Sequence, residues 1–290
     1  MIVAAGLTPA WQQILVFRQL QVGHVNRAHE AVWCGSGKVL NVGAALHQLG
    51  AESLTISPVG GATGQQIRDD FARRGIPARW VSTNAATRVC TTLLDQATGA
   101  TTELVENSTA LTEFELAQYA EAFADGARSA SHVVLSGSLP QGTAPSYYRD
   151  LLERTSARTL LDIRGRELIE CLPLRPFLVK PNREELATTV GRPLTTEDDV
   201  ATAMAEVRDL GAEWIVVSNG PASLFVLGPS GLHRIEPPQV QAINPIGCGD
   251  SLTAAVAAQL ARGETPLDAI SFGVTYAAHK ASQLLPVAIV

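Results

Sequence analysis

Apolar and polar residues follow two different rhythms along this chain. From about residue 110 onward, short β-rich runs alternate with stretches of helical spacing. His132–Ser136, Thr159–Asp162, Phe177–Lys180, Trp214–Ser218 and Ser223–Leu227 read as strands, with helical stretches at 145–156, at 167–172 and from Asn182 onward. The clearest helix covers 197–210, where Val200, Ala203, Met204, Val207 and Leu210 share one face and Thr196 with Asp199 forms a capping box. Two Ala-rich helices, 249–261 and 266–283, close the pattern. Strand–helix alternation of this kind predicts an α/β fold, a parallel sheet with helices on both faces. Ligands then sit at the carboxyl ends of the strands.

The first third of the chain reads differently. Between Thr8 and Trp33, and again between Val89 and Glu106, β-like runs follow one another without helices between them. Two such insertions predict either a small sheet over one edge of the main domain, a lid, or an ordinary antiparallel edge.

With 290 residues, of which 46% are apolar and 17% charged, the chain has the material for a large core and is not a disordered protein. A net charge of −6 without a basic run argues against coating nucleic acid or an anionic membrane. Any phosphate must therefore be met by a few placed cations and backbone N–H groups. Met1–Gly6 lacks the basic start of a signal peptide. The uncharged stretches 129–148 and 214–232 carry Gly, Pro and Ser, and read as strand plus loop instead of a membrane helix. Cys34, Cys90, Cys171 and Cys248 lie far apart with no C-x-x-C pair, which argues against zinc or disulfides and for a reducing cytoplasm.

The segment Asn244-Pro245-Ile246-Gly247-Cys248-Gly249-Asp250-Ser251 runs straight into an apolar helix. Two glycines and a small residue there let bare N–H groups and the helix dipole converge on an anion. Asp250 would repel that anion, unless it takes a proton from a hydroxyl attacking the bound phosphate. The plainer alternative is a Gly-rich turn with Asp250 as helix cap. Gly35-Ser36-Gly37-Lys38 is not a P-loop, because Val32 stands where the first Gly belongs and Val39 follows the Lys. Leu40 likewise breaks a G-x-G-x-x-G fingerprint. What remains is a tight turn presenting Lys38 and Asn41 at the start of a helix over 39–49. Lys38 opposes the helix dipole there, and reads as a cation waiting for an anionic substrate. Asn182 and Glu185 share one face of a helix start and suit either Mg²⁺ held through water or a simple capping box. Leu135–Pro140 and Ser218–Pro221 are loops at the carboxyl edge.

In this order and at these spacings the segments resemble the phosphofructokinase-B (ribokinase-like) carbohydrate kinases, and within them the 1-phosphofructokinase and tagatose-6-phosphate kinase group. The resemblance runs from Leu7-Thr8-Pro9-Ala10 to Gly273. The group's G-A-G-D appears as Gly247-Cys248-Gly249-Asp250, its G-G-K-G-I-N as Ser36–Asn41, and its N-x-x-E as Asn182–Glu185 after Lys180-Pro181. L-S-G-S-L-P is intact at 135–140, and Thr87-Arg88 and Thr102-Glu103 match the lid strands that meet the sugar phosphate.

The resemblance implies one ribokinase-like domain over 1–290, with a central mostly parallel sheet and a β-sheet lid from about 8–34 and 88–107. It implies a kinase using ATP and Mg²⁺ on the free hydroxymethyl of a ketohexose phosphate, fructose 1-phosphate or tagatose 6-phosphate. Asp250 would be the general base, and Gly247, Cys248 and Gly249 the anion hole. Lys180, Asn182, Ser218, Asn219 and Gly220 would line the nucleotide site, with Glu185 and Asn182 orienting the metal. Lys38, Arg88 and Arg27 would surround the sugar's own phosphate, and Gln12, Gly37, Asn41 and Ser138 would complete the acceptor pocket. A cytoplasmic enzyme is expected, a homodimer through the open lid edge, with no nucleic-acid or membrane partner.

Several positions depart from the group. Thr8 and Gln12 stand where it usually has Asn and a sugar-binding Asp, and Ser36 and Val39 replace glycines. Gln12 is longer and uncharged, which changes the pocket and leaves room for another sugar. These changes motivate a rival reading, a sugar-phosphate binder without turnover, against which the intact Asp250, Asn182 and Glu185 argue. A dinucleotide dehydrogenase lacks its glycine fingerprint. Cys248 replaces Ala, which makes either a reactive thiol of lowered pKa at the helix start or plain filling of a small space. The chain also stops early for the group, so residues closing over the adenine are expected to be short or absent, with His279 near that region.

Overall fold

A computed structural model of the chain describes residues 1–286. Nine strands form the main sheet: β1 (Ile2–Ala5), β4 (Ser53–Gly60), β5 (Ala78–Thr83), β8 (His132–Ser136), β9 (Arg158–Asp162), β10 (Leu178–Val179), β11 (Trp214–Val217), β12 (Leu224–Gly228) and β13 (Gly231–Ile235). Their order is β13-β12-β11-β10-β9-β8-β1-β4-β5. The pairings from β11 through β5 are parallel, and β12 and β13 add an antiparallel hairpin at one edge.

The central strands are buried on both faces, as parallel strands between two helical layers must be. Successive side chains point to opposite faces. Ile2 and Ala4 of β1 therefore join one core with Val134, Leu160 and Val216, while Val3 and Ala5 join the other with Val133, Leu161 and Ile215. The first core is covered by α1 (Lys38–Gln48), α2 (Gly61–Arg73), α8 (Cys248–Ala261) and α9 (Pro266–Ala281). The second is covered by α3 (Glu113–Ala127), α4 (Tyr147–Leu152), α5 (Gly165–Cys171), α6 (Arg183–Val190) and α7 (Glu197–Asp209). No described helix is long and apolar enough to cross a membrane.

Capping boxes start α3 (Thr112 with Glu115), α6 (Asn182 with Glu185) and α7 (Thr196 with Asp199). Each satisfies two N–H groups that the first helical turn leaves without partners. α4 is shorter than its apolar spacing predicts, because residues 144–146 already turn and Glu153 onward leaves the helix.

The N-terminal insertions make a separate four-stranded sheet, ordered β3-β2-β6-β7, from β2 (Ala10–Phe17), β3 (Glu30–Ser36), β6 (Val89–Asp95) and β7 (Thr101–Val105). Register places Cys34, Gln12, Cys90 and Val105 in one row across it. Its small core, Ile14, Val16 and Leu94, packs on Leu284 and Leu285 from the segment after α9. Gly37, at φ 89°, joins β3 to α1. A Cβ there would stand 2.8 Å from the Thr8 carbonyl oxygen, so only glycine brings these two segments together.

Candidate active site

Parallel strands deliver polar residues to a single edge: Ser138 beyond β8, Asp162 at the end of β9, Lys180 and Asn182 beyond β10, and Ser218 beyond β11. A cleft of about 830 Å³ opens between them and the four-stranded sheet, which contributes Gln12, Cys90 and Glu103.

Asp162, fully buried, is the hub of the cleft floor. Its Oδ1 accepts from Lys38 Nζ at 2.7 Å, and its Oδ2 lies 3.1 Å from Lys180 Nζ and accepts from Thr253 Oγ1 at 3.1 Å. Burial alone would raise its pKa, but the two ammonium groups outweigh that and hold it at about 2. Lys38 also donates to Glu185 Oε1 at 2.8 Å. Burial disfavours its charge, yet Asp162, Glu185 and Asp250 together push its pKa upward.

The start of α8 faces this hub. Its N-cap is Gly247, at φ 82°, and no side chain caps the first turn. The Cys248 N–H donates to the Pro245 carbonyl at 3.3 Å, but those of Gly249 and Asp250 have no partner among the described residues, and the dipole adds positive charge at the same spot. Lys180 adds more: a Cβ on Gly249 would lie 3.3 Å from its Nζ. The loop leading in hangs from α9, with Ile243 and Asn244 N–H donating to the Ala281 carbonyl at 2.7 and 3.0 Å. Asp250 is not the cap. Its buried carboxyl accepts from Asn41 Nδ2 at 2.7 Å, and Ser36 Oγ orients that amide by donating to Asn41 Oδ1 at 3.0 Å. Burial, then the charge of Asp162, raises Asp250 to about 7, against the pull of Lys38, Asn41 and Lys180. A carboxylate poised near neutrality beside bare N–H groups is the equipment for deprotonating a hydroxyl that attacks a bound phosphoryl group.

The match to a family model supports the same chemistry, extending over residues 14–286 with the pfkB family carbohydrate kinases. The chain belongs to the pfkB family of carbohydrate kinases. Phosphofructokinase-2 from Escherichia coli, in its tetrameric inhibited form, is 29% identical with a TM-score of 0.88, over 97% of this chain and 93% of that one. The same enzyme in complex with fructose-6-phosphate gives 29% and 0.87, over 97% and 94%. A possible 1-phosphofructokinase from Thermotoga maritima is 21% identical with a TM-score of 0.90, over 99% and 93%, and shares the fold. The two sheets are thus a pfkB-family, ribokinase-like architecture, and the activity class is carbohydrate kinase.

The cleft gathers the anticipated Gly247, Cys248, Gly249, Asp250, Lys180, Asn182, Glu185, Ser218 and Gly220, and with them Gln12, Gly37, Lys38, Asn41, Arg88 and Ser138. Two residues fall outside it. Arg27 is exposed in the long connection between β2 and β3, and Asn219 is exposed beyond the rim. Lys38 is not a cation in waiting, since two carboxylates hold it. Arg88 donates to the Thr8, Pro9 and Glu106 carbonyls at 3.0, 3.3 and 3.1 Å, and so ties the base of the lid as well as facing the cleft. Asn182 and Glu185 do form the capping box, with bonds of 2.8 and 2.9 Å. The reactive-thiol expectation for Cys248 is overturned, because burial and then Asp250 push its pKa up to about 11. His279 is exposed and bonds Thr275 O at 2.9 Å, while Val274, Ala277 and Ala278 of the same helix face the cleft. The expectation about adenine-closing residues at the C-terminal end falls partly on residues 287–290, which lie outside the described residues.

Asp162 is the buried cleft carboxylate that the pattern did not single out, and its one signal is a carboxylate that follows Leu160 and Leu161 at the end of a strand.

Proposed function

We infer that this chain is an ATP-dependent kinase that phosphorylates the free hydroxymethyl of a ketohexose phosphate, in the manner of a 1-phosphofructokinase. The observation that carries the reading is Asp250, a buried base raised to about 7, set in the first turn of α8 whose N–H groups have no side-chain cap. Arg88 is the cation at the lid end of the cleft, where the sugar's own phosphate would lie. The fructose-6-phosphate complex of Escherichia coli phosphofructokinase-2 supports a phosphorylated ketose as acceptor. Tagatose 6-phosphate has the same span between phosphate and hydroxymethyl, and Gln12 is the lid position that would tell such sugars apart.

Kinases of this family use ATP with a divalent metal. The donors present fit a mostly hydrated ion brought in on the nucleotide: no group of three or more His, Cys, Asp or Glu side chains that could hold a metal occurs among the described residues. Glu185 and Asn182 would hold such an ion through water, and it would neutralise charge on the phosphates. A homodimer through the lid fits the apolar side chains of Trp33, Leu104 and Val105 exposed on edge strands β3 and β7.

The test is ADP release with Mg-ATP on fructose 1-phosphate, tagatose 6-phosphate, fructose 6-phosphate, fructose and ribose. Asp250→Asn serves as the blank and should lose about 10²–10⁴ in kcat with nucleotide affinity nearly unchanged. Collapse of ATP binding in that variant would make Asp250 structural and overturn the reading.

A further inference from the structure

The floor of the cleft poses an electrostatic problem. Two ammonium groups, on Lys38 and Lys180, share it with the base, yet Asp250 bonds neither. Among the described residues its hydrogen-bonding side-chain partner is the neutral amide of Asn41, at 2.7 Å. Both lysines are taken by the fully buried Asp162, at 2.7 and 3.1 Å. Thr253, one turn after Asp250 on α8, shares its one hydroxyl hydrogen between the same carboxylate at 3.1 Å and the Gly249 carbonyl at 3.0 Å, which ties Asp162 to the helix that carries the base. Resting on the kinase reading, we propose that Asp162 is a positioning residue that draws Lys38 and Lys180 away from Asp250, leaving the base free of an ion pair and Lys180 beside the anion hole.

A carboxylate paired with an ammonium group is a poor base, because the pair is lost when the proton arrives. A carboxylate with a second carboxylate behind it and a neutral donor in front is a better one. The charged and titratable groups facing Asp250 are Lys38 from α1, Asp162 from β9 and Lys180 beyond β10, with Cys248 beside it on α8. Glu185 of α6 acts through Lys38, and Arg88 and Glu103 face the cleft from the lid. Asp162 and Lys38 therefore have opposite effects on the base. Removing the first frees two cations to pair with Asp250. Removing the second strips away a cation and leaves Asp162 less neutralised.

The experiment is the pH dependence of kcat/KM, at saturating Mg-ATP, for the wild type, Asp162→Asn and Lys38→Met. In the wild type the acidic limb should fall near pH 7, because burial and the neighbouring Asp162 raise Asp250 to about 7. In Asp162→Asn it should move down by about one unit or more, with the plateau reduced about tenfold. In Lys38→Met, whose side chain is partly exposed, it should move up. A lower plateau with an unmoved limb in both variants would mean that Asp162 only holds the fold together, and would overturn the proposal. If Asp162→Asn does not fold, an unmoved limb in Lys38→Met would still overturn the proposal. A second readout needs no turnover: the Asp250 carboxyl carbon, assigned by its absence in Asp250→Asn, can be titrated by ¹³C NMR in all variants. Opposite shifts there, with a wild type silent on every sugar, would uphold the electrostatics and sink the kinase reading. Turnover with unshifted titrations would do the reverse.

Discussion

Two glycines in the α8 entry loop separate what the loop does for stability from what it does for chemistry. Gly247 sits at φ 82°, a conformation that costs an L-residue about 1–2 kcal/mol. A methyl group there would stand 2.9 Å from Pro286 Cβ and 3.2 Å from Asn41 Nδ2. Pro286 can yield only by moving the segment whose leucines pack on the lid. If Asn41 yields, its 2.7 Å bond to Asp250 is lost, at about 1.5–3 kcal/mol for a bond to a charged group. Gly247→Ala should thus destabilise by about 2–4 kcal/mol, which in a chain of this size lowers Tm by about 4–12 °C. It should also cut kcat by about 10² as the N–H groups lose their convergence. Gly249 differs: its φ is not positive, and the new methyl would meet only Lys180 Nζ at 3.3 Å, the far end of a flexible side chain. Gly249→Ala should stay within about 0.5 kcal/mol of the wild type while losing about tenfold in kcat, as the ammonium group is pushed off the phosphoryl position. Thermal unfolding together with ADP release at varied ATP and sugar reads both effects. A destabilised Gly247→Ala with wild-type kcat would refute the anion-hole assignment. An unaltered Gly249→Ala would remove Lys180 from the phosphoryl site.

Two further outcomes follow from the same geometry. With its pKa raised from 9.0 to about 11, Cys248 should react with iodoacetamide at pH 7.5 about 100-fold more slowly than an ordinary thiol. Mass spectrometry of the partly alkylated protein checks this, and fast labelling would mean that the entry loop opens. Arg88→Ala removes three bonds to lid-base carbonyls along with a cleft cation. It should therefore raise KM for a phosphorylated sugar and lower Tm, by about 2 °C or more. An equal loss on an unphosphorylated sugar would leave Arg88 with the structural role alone.

Much of the fold was legible, because each element rests on local pattern. The Thr196–Asp199 box marks the start of α7, and its 3 and 4 spacing appears as Val200, Ala203, Met204 and Val207 buried. The His132–Ser136 run is β8 residue for residue. Ser223–Leu227 reads as a strand and is β12, but its antiparallel partner β13 escaped the strand–helix rhythm because a tight turn at residues 229–230 leaves no helix to count. In the site, the glycine turns and N-x-x-E were readable since each is one short segment. Arg27 was placed by resemblance alone, and nothing local says where a long β2–β3 connection carries its side chains.

Lys38 shows why the rest was hidden. An ammonium group at a helix start opposes the dipole and is not there for the helix. What makes it a held cation and not a waiting one is a pair of carboxylates that lie 124 and 147 residues further along the chain. Pairing across such separations is set by which strand ends share an edge, and periodicity does not carry that information. The cost of the omission is a miscounted cleft. Four cations line it, Lys38, Arg88, Arg164 and Lys180, but so do four carboxylates, Glu103, Asp162, Glu185 and Asp250. On the proposed kinase function, an anionic nucleotide would enter a cleft with no surplus of positive side chains. Its affinity would then come from the α8 N–H groups and from the metal it brings, which is what a helix N-terminus and a hydrated ion are suited to supply.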